Sequence, residues 1–385
     1  MGEWKEYKLG EIAEITSSKR VFYSEYVSEG IPFYRSKEII DLYNNRNIAT
    51  ELFISENRYN DIKLKYGVPQ KDDILLTSVG SLGIPYLVKN TDKFYFKDGN
   101  LTWIRNINKN IILPQYLILW ICSNIGKQKL DEVTIGSTQP ALTISGLKTI
   151  EIILPSIEEQ KRIASIHSSL DDKIDLLQRE NKTLEAMAET LFRKWFIEDA
   201  KEEWEEKPLS SIANFLNGLA CQKYPPMNFV DRLPVLKIRE LTNGIGIDCD
   251  WATTDVASEY IVHSGDVLFA WSASLMVKIW DGTDCILNQH LFKVTSNDYP
   301  KWFYYLWCKY HLNEFIAIAT SHATTMGHIK RSDLDKAMVL VPESSVILAM
   351  TNIMNPLLSK IENNNKEIHC LVVLRDILLQ KMMSN

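Results

Sequence analysis

Two sets of polar residues interrupt apolar runs at matching places in the two halves of this 385-residue chain. The first set is Arg35 and Lys37 in "YRSKEI", Thr77, Ser78 and Ser81 in "LLTSVGSLG", and Ser137, Thr138 and Gln139 in "IGSTQP". The second is Lys237 and Arg239 in "LKIREL", Ser272 and Ser274 in "AWSASLM", and Thr324, Thr325 and His328 in "HATTMGHIK". Such residues deliver hydrogen-bond donors and acceptors: an Arg fork fits the guanine edge, a Gln amide fits adenine, and hydroxyls or cations serve bases or phosphates. Taken singly, each is equally an ordinary solvated turn. As sets repeated at matching positions, they favour contact with DNA.

Motifs for bond-making chemistry do not accompany them. A DNA-amino methyltransferase needs an Asn/Asp-Pro-Pro-Tyr/Phe loop, and the nearest string, "YPPM" from Tyr224, has the wrong first and last residues. There is no Walker Gly-x-x-x-x-Gly-Lys-Ser/Thr, no His-Glu-x-x-His and no Gly-x-Ser-x-Gly. No catalytic residue, metal site or cofactor is expected. His290 in "LNQHLF" reads as a strand-end histidine, and the aromatic run "WFYYLW" from Trp302, at helical spacing, reads as core. The six cysteines are widely scattered, without zinc spacing, and read as reduced, mostly buried thiols.

The elements that must hold the polar sets are themselves repeated. "WKEYKLGEIAEI" from Trp4 matches "WEEKPLSSIANF" from Trp204, and "IPFYRSKEI" from Ile31 matches "LPVLKIREL" from Leu233. "DILLTSVGSLG" from Asp73 then matches "DVLFAWSASLM" from Asp266, and "GSTQPALTISGLKTIEIILP" from Gly136 matches "ATTMGHIKRSDLDKAMVLVP" from Ala323. A period this long means a duplicated domain and not a solenoid. Short strands alternating with polar turns and brief helices predict α+β domains with mainly antiparallel sheet.

After each domain the pattern turns helical. Ser156 and Glu159 form a Ser-x-x-Glu capping box, and apolar residues follow three and four apart from Ile163 to Trp195, over about forty residues or roughly 60 Å of helix. The second copy runs from Met350 to Met382 and carries Pro356, which is expected to bend or break it. A narrow apolar stripe this long needs a partner helix, and the other copy is the simplest one. Antiparallel pairing sets Asn181 against Asn364 and Leu184 against Ile361, matching polar with polar and apolar with apolar.

Net charge is −6. Residues 1–155 carry 19 basic and 18 acidic side chains, and residues 201–342 carry 13 and 17. Neither domain has the basic excess of an indiscriminate phosphate binder, so DNA contact would depend on local patches or basic partners. No stretch is long and apolar enough to span a membrane, and "MGEWKEYKLG" does not resemble a signal peptide, so the expected location is cytoplasmic.

The stretch "LPSIEEQKRIASIHSSLDDKIDLLQRENKTLEAMAETLFRKWF", the Trp4 and Trp204 openings and the domain order resemble the specificity (HsdS) subunits of type I restriction–modification systems. The resemblance implies two repeated target-recognition domains, at 1–154 and 201–341, separated by two long helices, at 155–200 and 342–385, that form an antiparallel coiled coil. It implies further that each domain reads one half of a split, asymmetric site in double-stranded DNA. Two methyltransferase subunits would dock on the chain, and restriction/translocase subunits would join through that complex. "VPESSVILAM" lacks the Glu-Glu-Gln signature, which puts methyltransferase docking by the second helix in question. A different reading is a non-catalytic scaffold joining two protein-binding domains, in keeping with the acidic net charge.

Overall fold

The computed structural model describes residues 4–44, 46, 48, 50–89, 92–246, 248–321 and 327–383; Thr324 and Thr325 lie outside them. The chain divides into two compact units, 1–173 with 371–385, and 174–370. Each is an α+β domain together with one stretch of each long helix.

In the first unit, Lys5–Lys8 pairs antiparallel with Glu151–Leu154, Lys5 opposite Leu154, so the domain's first and last strands close its base. Above them lies an antiparallel sheet in the order Glu14–Thr16, Leu101–Arg105, Ile74–Thr77, Pro85–Leu87. Side chains alternate across it, as a pleated strand requires. Ile74 and Leu76 enter a core with Tyr116, Leu117 and Trp120 of the helix Pro114–Cys122, whereas Leu75 joins Ile39, Phe96 and Trp103 in another. A second sheet orders Tyr26–Val27, Phe53–Ile54, Ile31–Tyr34 and Tyr95–Phe96, the last pair being parallel.

The second unit repeats the plan. Glu205–Pro208 pairs with Met338–Val341, and the main sheet orders Asn214–Asn217, Leu291–Thr295, Val267–Ala270 and Met276–Ile279. Val267 and Phe269 pack with Trp302, Phe303 and Trp307 of the helix Lys301–Ser321, while Leu268 and Ala270 pack with Leu236 and Trp280. All six residues of "WFYYLW" are buried, as their spacing predicts. Arg232–Leu236 and Cys285–Leu287 again form a parallel pair.

The first long helix spans Ile157–Arg193 and continues into a wider π turn, Lys194–Glu198, which seats Phe196 against Trp204, Trp302, Phe303 and Trp307. Half of the expected capping box forms. Ser156 Oγ accepts the Glu159 N–H at 3.3 Å, but the Glu159 carboxylate pairs with Arg162 at 2.6 Å. The second long helix, Ser344–Met383, runs through Pro356 without a break, so of the bend or break expected there the break does not occur. Proline removes one N–H from the ladder, but Met350, Met354, Leu358 and Ile361 are buried in the core on both sides of it and hold the helix together.

Within each unit the paired helix stretches are antiparallel. In the first, Ile163 shares a core with Leu379 and Met383, and Asp171 meets Arg375 at 2.9 Å. In the second, buried Asn364 donates to the Asn181 amide oxygen at 2.8 Å, and Asn181 donates to Asn365 at 2.6 Å. Leu184 and Ile361 enter one apolar cluster, so the polar layer and its neighbour form in the expected register. Among the described residues, no helix is long and apolar enough to cross a membrane.

Candidate nucleic-acid interface

The polar breaks of the first unit converge. Ser78 N–H donates to the Asn100 carbonyl at 2.8 Å, Ser36 Oγ donates to the same oxygen at 3.4 Å, and Leu142 N–H donates to the Ser78 carbonyl at 2.9 Å. A bridge between Val79 and Ala141 completes the junction. Three segments separated in sequence therefore meet: the start of the helix Ser36–Tyr43 with Lys37, the turn with Ser81, and the turn with Ser137, Thr138 and Gln139. Lys37, Ser81, Ser137, Thr138 and Gln139 are exposed there. Gly136 shapes the last turn: it has φ of 88°, and a Cβ on it would lie 2.8 Å from the Gln139 carbonyl oxygen.

The second unit repeats the three backbone contacts of this junction, while the Ser36 hydroxyl bond has no counterpart because Ile238 stands at that position. Trp271 N–H donates to the His290 carbonyl at 3.4 Å, Ile329 N–H to the Trp271 carbonyl at 3.1 Å, and Ser272 bridges His328. Ala273 has φ of 57°, a left-handed conformation where the first repeat has Gly80 at 82°. Ser274 and His328 are exposed at this junction. Trp271 sits 5.9 Å from the His290 ring and 6.4 Å from that of His328.

Thr77, Ser78 and Ser272 depart from the expected role, because all three are buried and internally bonded. Thr77 Oγ1 accepts the Ile84 N–H at 2.9 Å, Ser78 Oγ lies 2.6 Å from Thr102 Oγ1, and Ser272 Oγ lies 3.0 Å from His290 Nδ1. They satisfy the turns themselves and offer no exposed group to a ligand.

The arginines at the other break are held by buried carboxylates. Glu38 accepts the Arg35 N–H at 2.8 Å and its guanidinium at 3.0 Å; Glu240 accepts the Lys237 N–H at 3.3 Å and the Arg239 guanidinium at 2.7 Å. Each carboxylate caps a short helix and fixes one arginine. Burial pushes the Glu38 carboxyl up, but the bonds from Arg35 outweigh it and hold it below the usual carboxylate range. Lys237 is paired with Asp250.

Several residues of the junctions escape a reading of the sequence. Asn100 and His290 supply the pivotal carbonyls, and backbone atoms leave no compositional trace. Gln160, from the Glu-Glu-Gln signature, is fully buried; it accepts the Leu113 N–H at 3.0 Å and donates to the carbonyls of Ile111 and Pro155 at 2.9 and 3.0 Å. It fastens the helix start to the first domain. Ile347 stands at the matching position of the second helix and packs into the apolar core instead.

A sequence model of the family described as "Type I restriction modification DNA specificity domain" matches residues 1–186 and 201–371. The chain belongs to this family. As a member of the specificity family it is 26% identical to the type I restriction enzyme MjaIX specificity subunit of Methanocaldococcus jannaschii, over 99% of this chain and 93% of that protein. It is also 28% identical to the HindI specificity subunit of Haemophilus influenzae, over 51% of this chain and 42% of that one. The crystal structure of a type I S subunit from M. genitalium superposes with a TM-score of 0.57 at 16% identity, covering 100% of this chain and 97% of that one, a likeness of fold. The two matched segments of the family model correspond to two target-recognition domains.

Proposed function

We propose that this chain reads a two-part, asymmetric DNA sequence for a type I restriction–modification complex, each unit addressing one half-site, and that partner subunits perform the methyl transfer and cleavage. The observation that carries this reading is the doubled junction: one hydrogen-bonded frame is built twice, and different side chains stand on it. Equal frames approach two half-sites alike, and unequal side chains read different bases. The reading groups are Lys37, Ser81, Ser137, Thr138 and Gln139 in the first unit, with Ser274 and His328 in the second. Arg35, Lys237 and Arg239, already paired, serve phosphates or base edges only by exchanging partners.

Docking of two methyltransferase subunits is supported by large apolar side chains exposed on both long helices, Leu176 and Met187 on the first and Leu348, Ile353, Leu374 and Ile377 on the second. Restriction/translocase subunits join through that assembly, which works on DNA in the cytoplasm. With a net charge of −6, the chain relies on these partners for much of the phosphate attraction.

Mapping methylated bases in cells with and without the gene tests the proposal. A bipartite methylated sequence that vanishes with the gene is the expected result; identical methylomes would overturn it. Affinity of the assembled complex for the mapped duplex should fall steeply with salt, and a salt-independent assembly indifferent to that duplex would mark a protein scaffold instead.

A further inference from the structure

In both repeats the connection leaving the second strand of the domain carries large apolar side chains into solvent. In the first unit the chain passes from Glu14–Thr16 through Lys19 and Arg20 to Phe22 and Tyr23, the latter 89% exposed. In the second it passes from Asn214–Asn217 through Lys223 to Met227 and Phe229, 92% and 83% exposed. A single apolar residue on a surface is ordinary. Two such tips, one in the corresponding connection of each repeat and each held by its own set of bonds, are not.

The first tip is a turn in which Phe22 N–H donates to the Glu25 carboxylate at 2.7 Å and Glu25 N–H to the Phe22 carbonyl at 2.9 Å, with Arg58 pinning Glu25 at 2.8 Å. At the second tip, Asn228 Oδ1 accepts the N–H groups of Val230 and Asp231 at 2.8 and 2.7 Å. The Arg232 guanidinium lies 4.6 Å over the Phe229 ring and 4.2 Å over that of Trp251. Both loops are also fastened to the polar junctions. Arg20 donates to Asp98 at 2.9 Å, two residues before Asn100, and Gln289, next to His290, donates its N–H to the Leu219 carbonyl at 2.8 Å.

From this juxtaposition we infer that each loop is a wedge that presses its apolar side chains against a base step of duplex DNA at the margin of the half-site its unit reads. Phe22 with Tyr23, and Met227 with Phe229, partly unstack that step, and the cations earlier in each loop, Lys19 and Lys223, meet the neighbouring phosphates. Preformed turns suit this task, since the side chains are ordered before contact and little freedom is lost on insertion. The cations favour duplex DNA as the occupant over an apolar protein surface. This inference rests on the DNA-reading proposal above.

The test uses the full chain assembled with its methyltransferase subunits, on the mapped duplex carrying 2-aminopurine at successive steps in and beside each half-site. The wild-type complex should raise the fluorescence at one step near each half-site. Phe22→Ala with Tyr23→Ala should abolish the rise at one half-site only, Met227→Ala with Phe229→Ala at the other, each weakening binding about tenfold while the methyltransferase subunits remain bound. These side chains are largely exposed, so folding, checked by an unchanged melting profile, should survive. Specific binding with no fluorescence rise, or a rise unaffected in both variants, overturns the wedge and leaves the DNA-reading proposal intact. Loss of methyltransferase subunits from the variants with fluorescence unchanged makes the tips a protein-docking surface and likewise overturns it. A wild-type complex with no preference for its mapped duplex overturns both.

Discussion

Glu38 does two jobs with one carboxylate, since it caps a helix and anchors Arg35, and Glu240 repeats both at the second junction. Glu38→Gln keeps the shape but loses the charge, and should destabilise the fold by about 1–3 kcal/mol, as read from chemical denaturation. The pH dependence has a definite sign. Because the folded carboxyl titrates below its unfolded value of about 4.3, its contribution is fully present above that value and is lost as pH falls through the folded one. The wild-type protein should therefore lose more stability on acidification than the Gln variant. On the proposed reading Gln139, exposed in the turn set by Gly136, belongs to readout. Gln139→Ala should relax recognition at one base, by about 1–3 kcal/mol where a bidentate contact is lost. Equal weakening on all sequences would assign it to phosphate. Sequence distinguished these two kinds of residue poorly. A small polar residue after an apolar run marks the end of a strand, but it does not say whether the hydroxyl turns outward, like Ser81, or inward to bond its own turn, like Thr77 and Ser78.

At the scale of elements, the buried asparagine layer carries the sharpest expectation. Asn181→Leu removes one of the two acceptors of the buried Asn364 amide, leaving it Glu180 at 2.9 Å, and should cost about 1–3 kcal/mol. Adding Asn364→Leu should recover most of that loss, because no buried amide then faces the other helix, while alternative registers become accessible. Denaturation of both single variants and the double one measures the coupling; additive losses would mean that the two amides do not act together. This layer was legible because a polar residue inside an apolar stripe is conspicuous, and its partner lies at the mirror position of a visible repeat. Gln160 was legible only as part of a signature. Its partners, Ile111 and Leu113, lie 49 and 47 residues away and meet it through backbone atoms. At Pro356 local propensity allowed a bend or a break, and core packing on both sides keeps the helix continuous.

For the whole molecule, both long helices pass from one compact unit into the other, at Lys173–Ile174 and at Cys370–Leu371. On the proposed reading their length sets the gap between the half-sites. Seven residues added to each helix at those two points would lengthen both by about 10 Å and keep the apolar seam in phase. At about 3.4 Å per base pair, methylation mapping should find the gap wider by about three base pairs with both half-sequences unchanged. An active variant with the original gap would separate helix length from spacing. The strand pairs that close each domain's base bear on how such a chain changes over generations. Among the described residues, Lys5–Lys8 pairs as a strand only with Glu151–Leu154, and Glu205–Pro208 only with Met338–Val341, so a domain's main chain enters and leaves through its own two-stranded sheet. Grafting residues 4–154 from a relative should alter one methylated half-sequence and spare the other. A genetic crossover on either side of such a closed base hands over a reading head with its own closing sheet, so a lineage can acquire a new target in one event, provided the new head still fits the helix residues that share its core, Ile163, Leu379 and Met383 in the first unit.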